Sequence, residues 1–347
     1  MISPSKETAE LNSNRVKVLD YLPQISQEDI YDEVFAGLRA SQKAVPSKYF
    51  YDANGSRLFE QITKLEEYYL SRTEREIMFG NMQNLVGSGA SLMDDIGSGS
   101  SSCGLDIIEL GSGDPSKISI LLNAIDSGLL GCVRYIPFDV SESAIIKSSN
   151  YLSKVFPSIE ILGLVADFFR HLDVIPNNRK RLFCFFGSTL GNLDREYAVE
   201  FIGEIGKNMN SGDGLLLGLD MVKDPAIIER AYNDSDGVTA CFNVNILHAL
   251  NSLVGTDFAT DSFEHLAFYK SDEMRIEMYL RAMRDMSVHS PNFPKAITLT
   301  EGETIHTENC HKFTPEHIEL FGKAGGFSTN RVFTDSDELF ALVEYGK

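Results

Sequence analysis

Five short apolar runs, separated by amphipathic stretches, constrain the fold of this chain more than any other feature. They are LDIIEL (105–110), CVRYIPF (132–138), IEILGLV (159–165), RLFCFFG (181–187) and GLLLGLD (214–220). Between them lie stretches with helical periodicity, such as SAIIKSSNYLSKVF and REYAVEFIGEIGKNM. Because strands that alternate with helices form parallel sheets covered on both faces, the sequence predicts an α/β domain with a doubly wound, Rossmann-like sheet.

The C-terminal segment adds one more helix and two more strands to this pattern. Thr314-Pro315-Glu316 is a favourable helix start, and Gly325-Gly326 ends the helix. The strand-like runs TNRVFT and ELFALVEY then close the chain. A terminal strand pair is typical of the methyltransferase version of this sheet rather than of a dinucleotide dehydrogenase.

Residues 222–312 interrupt the strand–helix alternation and predict a second, smaller α+β domain. Their first part is helical in pattern, whereas RIEMYLR alternates, with Ile276, Met278 and Leu280 on one face. We expect antiparallel strands here and a substrate-binding domain formed by residues 21–71 and 222–312.

The larger domain then comprises residues 72–221 and 313–347, after a flexible tail over residues 1–20. Ser71 and Glu74 have the spacing of a capping box, which predicts a helix start at Ser71. The Gly/Ser-rich segment over residues 94–104 is expected to be a linker.

Composition excludes several classes of protein. The formal net charge of −19 repels phosphate backbones, so nucleic acid is not an expected partner. No apolar run is long enough for a membrane span, and the polar N-terminus lacks a signal core. The five cysteines never stand in C-x-x-C spacing, and the seven histidines show no H-E-x-x-H pattern. We expect a cytoplasmic monomer with no disulfide framework and no metal.

Polar or glycine residues follow three of the predicted strands. Gly111-Ser112-Gly113 joins the first run to a helix, which lets a ligand approach the backbone and the helix N-terminus. Asp139 follows the second run, and Asp167-Phe168 follow the third. Since ligands of open α/β sheets bind at the carboxyl ends of the strands, these residues predict a nucleoside cofactor. An ordinary tight turn and simple helix caps remain the alternatives.

Eight stretches connect the chain with a known family. The two longest are KYFYDANGSRLFEQITKLEEYYLSRTEREI (48–77) and DMVKDPAIIERAYNDSDGVTACFNVNIL (220–247). The others are ELGSGDPSK, PFDVSESA, ADFF, FFGSTLGNLD, RIEMYLRA and TENCHKFTPE. In these stretches, between residues 45 and 326, the chain resembles the histidine-specific N-α-methyltransferases of ergothioneine biosynthesis. The resemblance implies a class I methyltransferase fold, S-adenosylmethionine as cofactor, and trimethylation of histidine to hercynine.

The resemblance also implies a role for individual residues. The cofactor would be held by Tyr51, Gly111, Gly113, Lys117, Asp139, Asp167 and Phe168. The substrate carboxylate would bind to Tyr68 and Tyr232, and its amino group to Asn192, so that these three residues are the expected catalytic set. Gly187 and Thr189 lie in the loop of Asn192. Glu308 and Cys310 would address the imidazole, and Met278 would line the side-chain pocket.

Each of these positions also has an ordinary structural interpretation. Tyr68 could be a half-buried aromatic residue, Asn192 a turn residue and Met278 part of the core. The chain also departs from the family, which usually has Ser at Cys310, Gly at Ser188 and small hydroxyl residues at Asp114-Pro115.

Three alternative functions follow from the same sequence. A methyltransferase of another amino acid or of an aromatic amine would use a pocket altered by Cys310. An NAD-dependent oxidoreductase would use the glycine turn for a dinucleotide. A non-catalytic module would bind the cofactor without turnover.

Overall fold

The computed structural model describes residues 4, 6–10, 15–23, 26–87 and 104–347, and of residues 6–10 only the backbone. The α-helices in these residues are α1 (Gln27–Arg39), α2 (Ala53–Ile62), α3 (Tyr69–Val86), α4 (Ser116–Ala124), α5 (Glu142–Val155), α6 (Arg195–Asn208), α7 (Pro225–Tyr232), α8 (Val238–Leu253) and α9 (Pro315–Gly325). The strands are β1 (Lys6–Glu10), β2 (Val16–Asp20), β3 (Lys43–Ala44), β4 (Leu105–Leu110), β5 (Val133–Asp139), β6 (Glu160–Val165), β7 (Lys180–Phe185), β8 (Gly214–Asp220), β9 (Phe263–Lys270), β10 (Arg275–Ala282), β11 (Met286–Val288), β12 (Ile297–Leu299), β13 (Thr304–His311), β14 (Ser328–Thr334) and β15 (Phe340–Gly346).

The chain folds into two compact units. Unit 1 consists of Met1–Pro23, Thr73–Met221 and Phe313–Lys347, and unit 2 consists of Gln24–Arg72 and Val222–Lys312. The linker expected over residues 94–104 lies, apart from Gly104, outside the described residues.

Unit 1 is built on one nine-stranded sheet. Its strand order is β1-β2-β6-β5-β4-β7-β8-β15-β14, with β2, β6, β5, β4, β7 and β8 parallel to their neighbours in that run. Strand β15 is antiparallel to both β8 and β14, so the C-terminal pair closes one edge. The doubly wound sheet predicted from the apolar runs is confirmed, including the strand pair at the end of the chain.

Strands β4 and β8 are buried on both faces, which explains why they are nearly continuous apolar runs rather than alternating ones. On β4, Leu105 and Ile107 belong to a core that includes residues of α3 and α4. Ile108 and Leu110 point to the opposite core, which includes residues of α6 and α9.

Two sequence predictions are corrected in unit 1. The polar N-terminus predicts a flexible tail over residues 1–20. In the structure, strand β2 pairs in parallel with β6, and strand β1 pairs antiparallel with β2. The apolar side chains of Val16 and Val18 are buried, which outweighs the polar composition around them. Helix α3 begins at Tyr69, so Ser71 lies inside the helix and is not its N-cap.

Unit 2 contains a four-stranded sheet in the order β3-β13-β10-β9 and a separate β11–β12 pair. Strands β9, β10 and β13 are antiparallel, as the alternation in RIEMYLR predicts. Ile276, Met278 and Leu280 are all buried. Helix α8 packs on α2, and the rings of Phe50 and Phe242 stack with their centroids 4.5 Å apart.

Among the described residues, no helix has the length and apolar character needed to cross a membrane.

Candidate active site

Three parallel strands of unit 1 end side by side, and main-chain hydrogen bonds join the loops that follow them. The N–H of Gly111, after β4, donates to the carbonyl of Phe138 near the end of β5 (2.8 Å). The N–H of Ala166, after β6, donates to the carbonyl of Asp139 (3.0 Å). The residues that the sequence marks after these strands therefore lie at the sheet edge where ligands of α/β proteins bind.

The turn after β4 has the properties of a ligand cradle. Gly111 has a φ of +77°, a conformation that favours glycine, and a Cβ on it would lie 3.8 Å from Cε1 of Phe168. A Cβ on Gly113 would meet no atom of the described residues within 4 Å. The hydroxyl of Ser112 is buried and has no hydrogen-bond partner within the described part of the chain. A buried hydroxyl that lacks a partner, beside a glycine with open space, fits a polar group bound at this turn.

The carboxylates of Asp139 and Asp167 each stabilise their own turn. Asp139 accepts from the N–H of Ser141 (2.9 Å), and Asp167 accepts from the N–H of Phe169 (3.0 Å). Burial raises the pKa of Asp139. An ionised carboxylate has about four acceptor positions, so these bonds leave room for ribose hydroxyls or an adenine amine. The capping interpretation of both residues is therefore compatible with cofactor binding.

The ring of Phe168 is anchored in an aromatic cluster. It contacts Phe138, Phe185 and Phe201, with centroids 6.2, 5.6 and 6.0 Å away. Since the ring also reaches Gly111, it links the loop after β6 to the turn after β4. An apolar ring held in this position could pack on a nucleoside base.

The loop after β7 has an unusual backbone. Gly187 and Ser188 both have positive φ, +76° and 57°, and the short 3-10 helix Thr189–Asn192 follows. The family resemblance implies glycine at the position of Ser188, and glycine adopts this left-handed conformation without strain. Its hydroxyl accepts a hydrogen bond from the N–H of Asp220 (2.9 Å).

An ion pair between a partly exposed lysine and a buried glutamate connects this loop to the helix after the glycine turn. The ammonium of Lys117 lies 2.5 Å from Oε2 of Glu74, whose two carboxylate oxygens accept from the N–H of Gly187 at 2.9 and 3.0 Å. Sequence reasoning missed this role of Glu74, because its spacing from Ser71 indicated a helix cap. The only signal available was a charged residue between buried positions of an amphipathic helix.

In unit 2, the aromatic residues that the resemblance singles out form a continuous series. The ring of Tyr51 contacts Phe59 edge-on at 5.8 Å between centroids, and Phe59 contacts Tyr68 at 6.3 Å. Tyr68 in turn contacts Tyr232 at 6.3 Å. Tyr68 and Tyr232 are buried, whereas Tyr51 is 46% exposed.

The position of Tyr51 is set by the polar residues that follow it. Asp52 caps helix α2 by accepting from the N–H of Gly55 (2.6 Å) and also accepts from Nδ2 of Asn245 on α8 (2.9 Å). Asn54 donates to Oδ1 of the same Asn245 (2.7 Å). The sequence YDANG thus holds α2 to α8 and fixes the chain at Tyr51.

Tyr232 belongs to a buried polar group. Its hydroxyl donates to Sγ of Cys310 (3.0 Å), and Nζ of Lys312 lies 3.1 Å from the same hydroxyl and 3.4 Å from the sulfur. The ammonium also lies 4.8 Å from the centre of the Tyr232 ring, within the range of a cation–π interaction. Lys312 is fully buried and was not predicted, since a lysine after a strand usually faces solvent.

Glu308, Cys310 and Met278 meet on the sheet of unit 2. Glu308 pairs directly with Met278 across β13 and β10, and Cys310 lies two residues further along β13, on the same face as Glu308. Both Glu308 and Met278 are buried, which argues against a solvated strand carboxylate at 308. Burial raises the pKa of Glu308 to about 7, and the charge of Lys312 opposes this rise.

The predicted residues thus divide between the units. Unit 1 holds Gly111, Gly113, Lys117, Asp139, Asp167 and Phe168, together with Gly187, Thr189 and Asn192. Unit 2 holds Tyr51, Tyr68, Tyr232, Met278, Glu308 and Cys310.

Comparison with known proteins identifies the family. Residues 30–347 match the family described as "Histidine-specific methyltransferase, SAM-dependent". The chain belongs to this family. It is 39% identical to the histidine N-alpha-methyltransferase of Mycolicibacterium smegmatis, over 91% of this chain and 94% of that protein. It is 38% identical to the protein of the same name from Mycobacterium tuberculosis, over 89% of this chain and 92% of that protein.

A third relative is larger than this chain. Ergothioneine biosynthesis protein 1 of Schizosaccharomyces pombe is 29% identical over 70% of this chain, which corresponds to 31% of that protein.

Membership in the SAM-dependent methyltransferase family identifies the fold of unit 1. The parallel run β6-β5-β4-β7-β8, closed by the antiparallel β15–β14 pair, is the class I methyltransferase fold that the sequence predicts. The protein is a methyltransferase, which removes the NAD-dependent oxidoreductase from the alternatives. The glycine turn, whose Ser112 hydroxyl has no partner among the described residues, and the two strand-end carboxylates provide donors and acceptors suited to an adenosyl cofactor.

Proposed function

We propose that this enzyme transfers methyl groups from S-adenosylmethionine to the α-amino group of L-histidine, and that three transfers give hercynine. The observation that carries the substrate is Glu308, a buried carboxyl group beside Cys310 and Met278. Its pKa of about 7 is close to that of an imidazole, about 6.5. A carboxyl group whose pKa is close to that of imidazole can share a proton with the ring of histidine. Few other amino-acid side chains have a pKa in this range.

The cofactor, when bound, supplies a sulfonium methyl group that is already activated for transfer. Asp139 would accept from the ribose hydroxyls, Asp167 from the adenine amine, and Phe168 would pack on the base. Lys117 would face the carboxylate of the methionine part. Gly111 and Gly113 would let the backbone approach the cofactor closely. Tyr51 would border its methionine part.

The substrate would be held at both of its ends. Tyr68 and Tyr232 would donate to the carboxylate, which phenols can do without a full charge of their own. Asn192, with Gly187 and Thr189 in its loop, would accept from the amino group and orient its lone pair. Glu308 and Cys310 would hold the imidazole, and Met278 would limit the size of the pocket.

Catalysis would come mainly from alignment, because the leaving group needs no acid. Correct orientation can supply roughly 7–11 kcal/mol. The amine must lose a proton before each transfer, and Tyr68, Tyr232 or a water molecule would relay it.

The pathway and setting follow from the same proposal. The similarity to a protein named for ergothioneine biosynthesis supports hercynine as an intermediate on that route. We place the enzyme in the cytoplasm as a monomer acting on a small molecule.

The purified protein incubated with isotopically labelled cofactor and a panel of amino acids tests the proposal. Mass spectrometry should show histidine carrying one, two and finally three methyl groups. A protein that methylates another amino acid or an aromatic amine while leaving histidine unchanged would replace this substrate with the alternative suggested by Cys310. Tight binding of the cofactor with no methylation of any amino acid or amine in the panel would reject the proposed reaction.

A further inference from the structure

We propose that Glu74 is a positioning residue that fixes the ammonium of Lys117 toward the carboxylate of the cofactor and ties it to the loop after β7. The inference rests on the proposed cofactor role of Lys117. It adds a residue on helix α3 to the machinery of unit 1.

The contacts of Glu74 are all directed at the elements of the cofactor region. Oε2 lies 2.5 Å from Nζ of Lys117, the second residue of α4. Oε1 and Oε2 accept from the N–H of Gly187 at 2.9 and 3.0 Å. One carboxylate therefore joins the helix behind the glycine turn to the loop that leads to Thr189 and Asn192.

The backbone around this carboxylate leaves space for it. A Cβ on Gly218, in β8, would collide with Oε1 of Glu74. A Cβ on Gly187 would lie 3.2 Å from Nζ of Lys117, closer than side chains normally approach. Gly218 thus leaves room for the carboxylate of Glu74, and Gly187 leaves room for the ammonium of Lys117 in a backbone conformation with positive φ that favours glycine.

Glu74 and Lys117 differ in the solvent exposure of their side chains, and this difference indicates their roles. The side chain of Glu74 is 0% exposed, whereas that of Lys117 is 19% exposed. Glu74 is enclosed by protein, so it acts through Lys117 rather than on a ligand. Lys117 has three N–H donors and a partly exposed side chain, so it can hold Glu74 and also donate to a second carboxylate.

A second buried carboxyl group interacts electrostatically with Lys117. Burial raises the pKa of Glu109, on β4, to about 7, and the charge of Lys117 opposes this rise. Glu109 thus lies within the electrostatic reach of Lys117.

The test compares two cofactors in the variant Glu74→Gln. Binding of S-adenosylmethionine, measured by calorimetry without substrate, should weaken about tenfold, whereas binding of decarboxylated S-adenosylmethionine should change by less than about threefold. Lys117→Met should weaken binding of the intact cofactor, and adding Glu74→Gln to it should have less than about a twofold further effect. The thermal midpoint reports on the fold, and Glu76→Gln is the matched control, an exposed carboxylate on the same helix.

Equal weakening for both cofactors, or independent effects of the two substitutions, would overturn the proposal. If Glu74→Gln does not fold, Glu74→Asp keeps the charge but withdraws it by one methylene group. That variant should then show the same preference on a smaller scale, and unchanged binding would equally reject the proposal. Because these measurements need no methyl transfer, failure of histidine as substrate would not affect them. A wild-type protein that binds no cofactor would reject the proposed function itself.

Discussion

The hydroxyl of Tyr232 donates to Sγ of Cys310 at 3.0 Å, and the buried ammonium of Lys312 lies within 3.4 Å of both groups. Cys310 is therefore part of a hydrogen-bonded group and does not merely fill space. Its sulfur orients the phenol proposed to bind the substrate carboxylate. The family resemblance implies serine at this position, and cysteine keeps the connection with a weaker acceptor.

Replacing Cys310 by serine should preserve the connection, and replacing it by alanine should break it. We expect Cys310→Ser to leave the KM for histidine within about threefold of the wild type, and Cys310→Ala to raise it about tenfold, as the loss of one buried hydrogen bond predicts. Steady-state kinetics with histidine varied would measure both. The KM for the cofactor should stay constant in each variant. An alanine variant with unchanged KM for histidine would show that the sulfur does not serve this purpose.

The stability of the protein should depend on pH through Glu308. Its pKa in the folded state is about 7, compared with an ordinary value of 4.5. Between these values the folded state holds a proton that the unfolded chain has lost, so stability decreases as pH rises through this window. The full difference corresponds to roughly 3 kcal/mol. We expect Glu308→Gln to have nearly the stability of the wild type at pH 5, and to gain stability relative to it at pH 8.

Denaturant unfolding at the two pH values would measure this gain. Glu109 also has a pKa raised to about 7, and comparison of the variant with the wild type separates its contribution from that of Glu308. Glu301→Gln, at an exposed position of the same unit, provides the control and should show no pH-dependent difference. A Glu308→Gln variant whose relative stability is the same at pH 5 and pH 8 would contradict the buried, proton-binding state of this carboxyl group.

Asn192 should affect the reaction much more than the cofactor. Its amide oxygen is proposed to hold the amino group, and we expect Asn192→Ala to lower kcat/KM for histidine about a hundredfold or more, since orientation is the main source of rate. Cofactor affinity, measured by calorimetry, should change by less than about threefold. Equal losses in turnover and in cofactor affinity would assign Asn192 to the structure of the loop instead.

The sequence predicted the central strands of unit 1 well because strands such as β4 and β8 are buried on both faces. The run LDIIEL coincides with β4, and GLLLGLD coincides with β8. Continuous apolar runs bounded by glycine and charged residues leave few alternatives for strand limits. Strand β2 was missed because VKVLD is short, lies in a polar segment and depends on pairing with β6, which is distant in sequence.

The residues that sequence reasoning missed are charged groups whose partners come from remote parts of the chain. Glu74 meets Gly187 and Lys117, and Lys312 meets Tyr232, across separations that no local pattern reports. The neighbouring residues in the sequence do not distinguish a buried lysine or glutamate from an exposed one. Only the fold reveals that its charge is paired and enclosed.

Asp139 offers a direct test of the proposed adenosyl site with little disturbance of the fold. Its carboxylate accepts from the N–H of Ser141, a bond that the amide oxygen of asparagine can also accept. The turn before α5 should therefore survive in Asp139→Asn. The amide retains one acceptor oxygen and presents donors in place of the other, so it cannot accept from two ribose hydroxyls at once.

We therefore expect Asp139→Asn to weaken the binding of S-adenosylmethionine about ten- to a hundredfold. This is the range for the loss of a charge-assisted hydrogen bond. S-adenosylhomocysteine has the same ribose, so its binding should weaken to the same extent. The KM for histidine at saturating cofactor should not change. Calorimetry with both nucleosides and kinetics with histidine would separate these effects. If the variant bound both nucleosides as tightly as the wild type, Asp139 would be only a turn residue, and the cofactor would have to be held without a carboxylate at the end of β5.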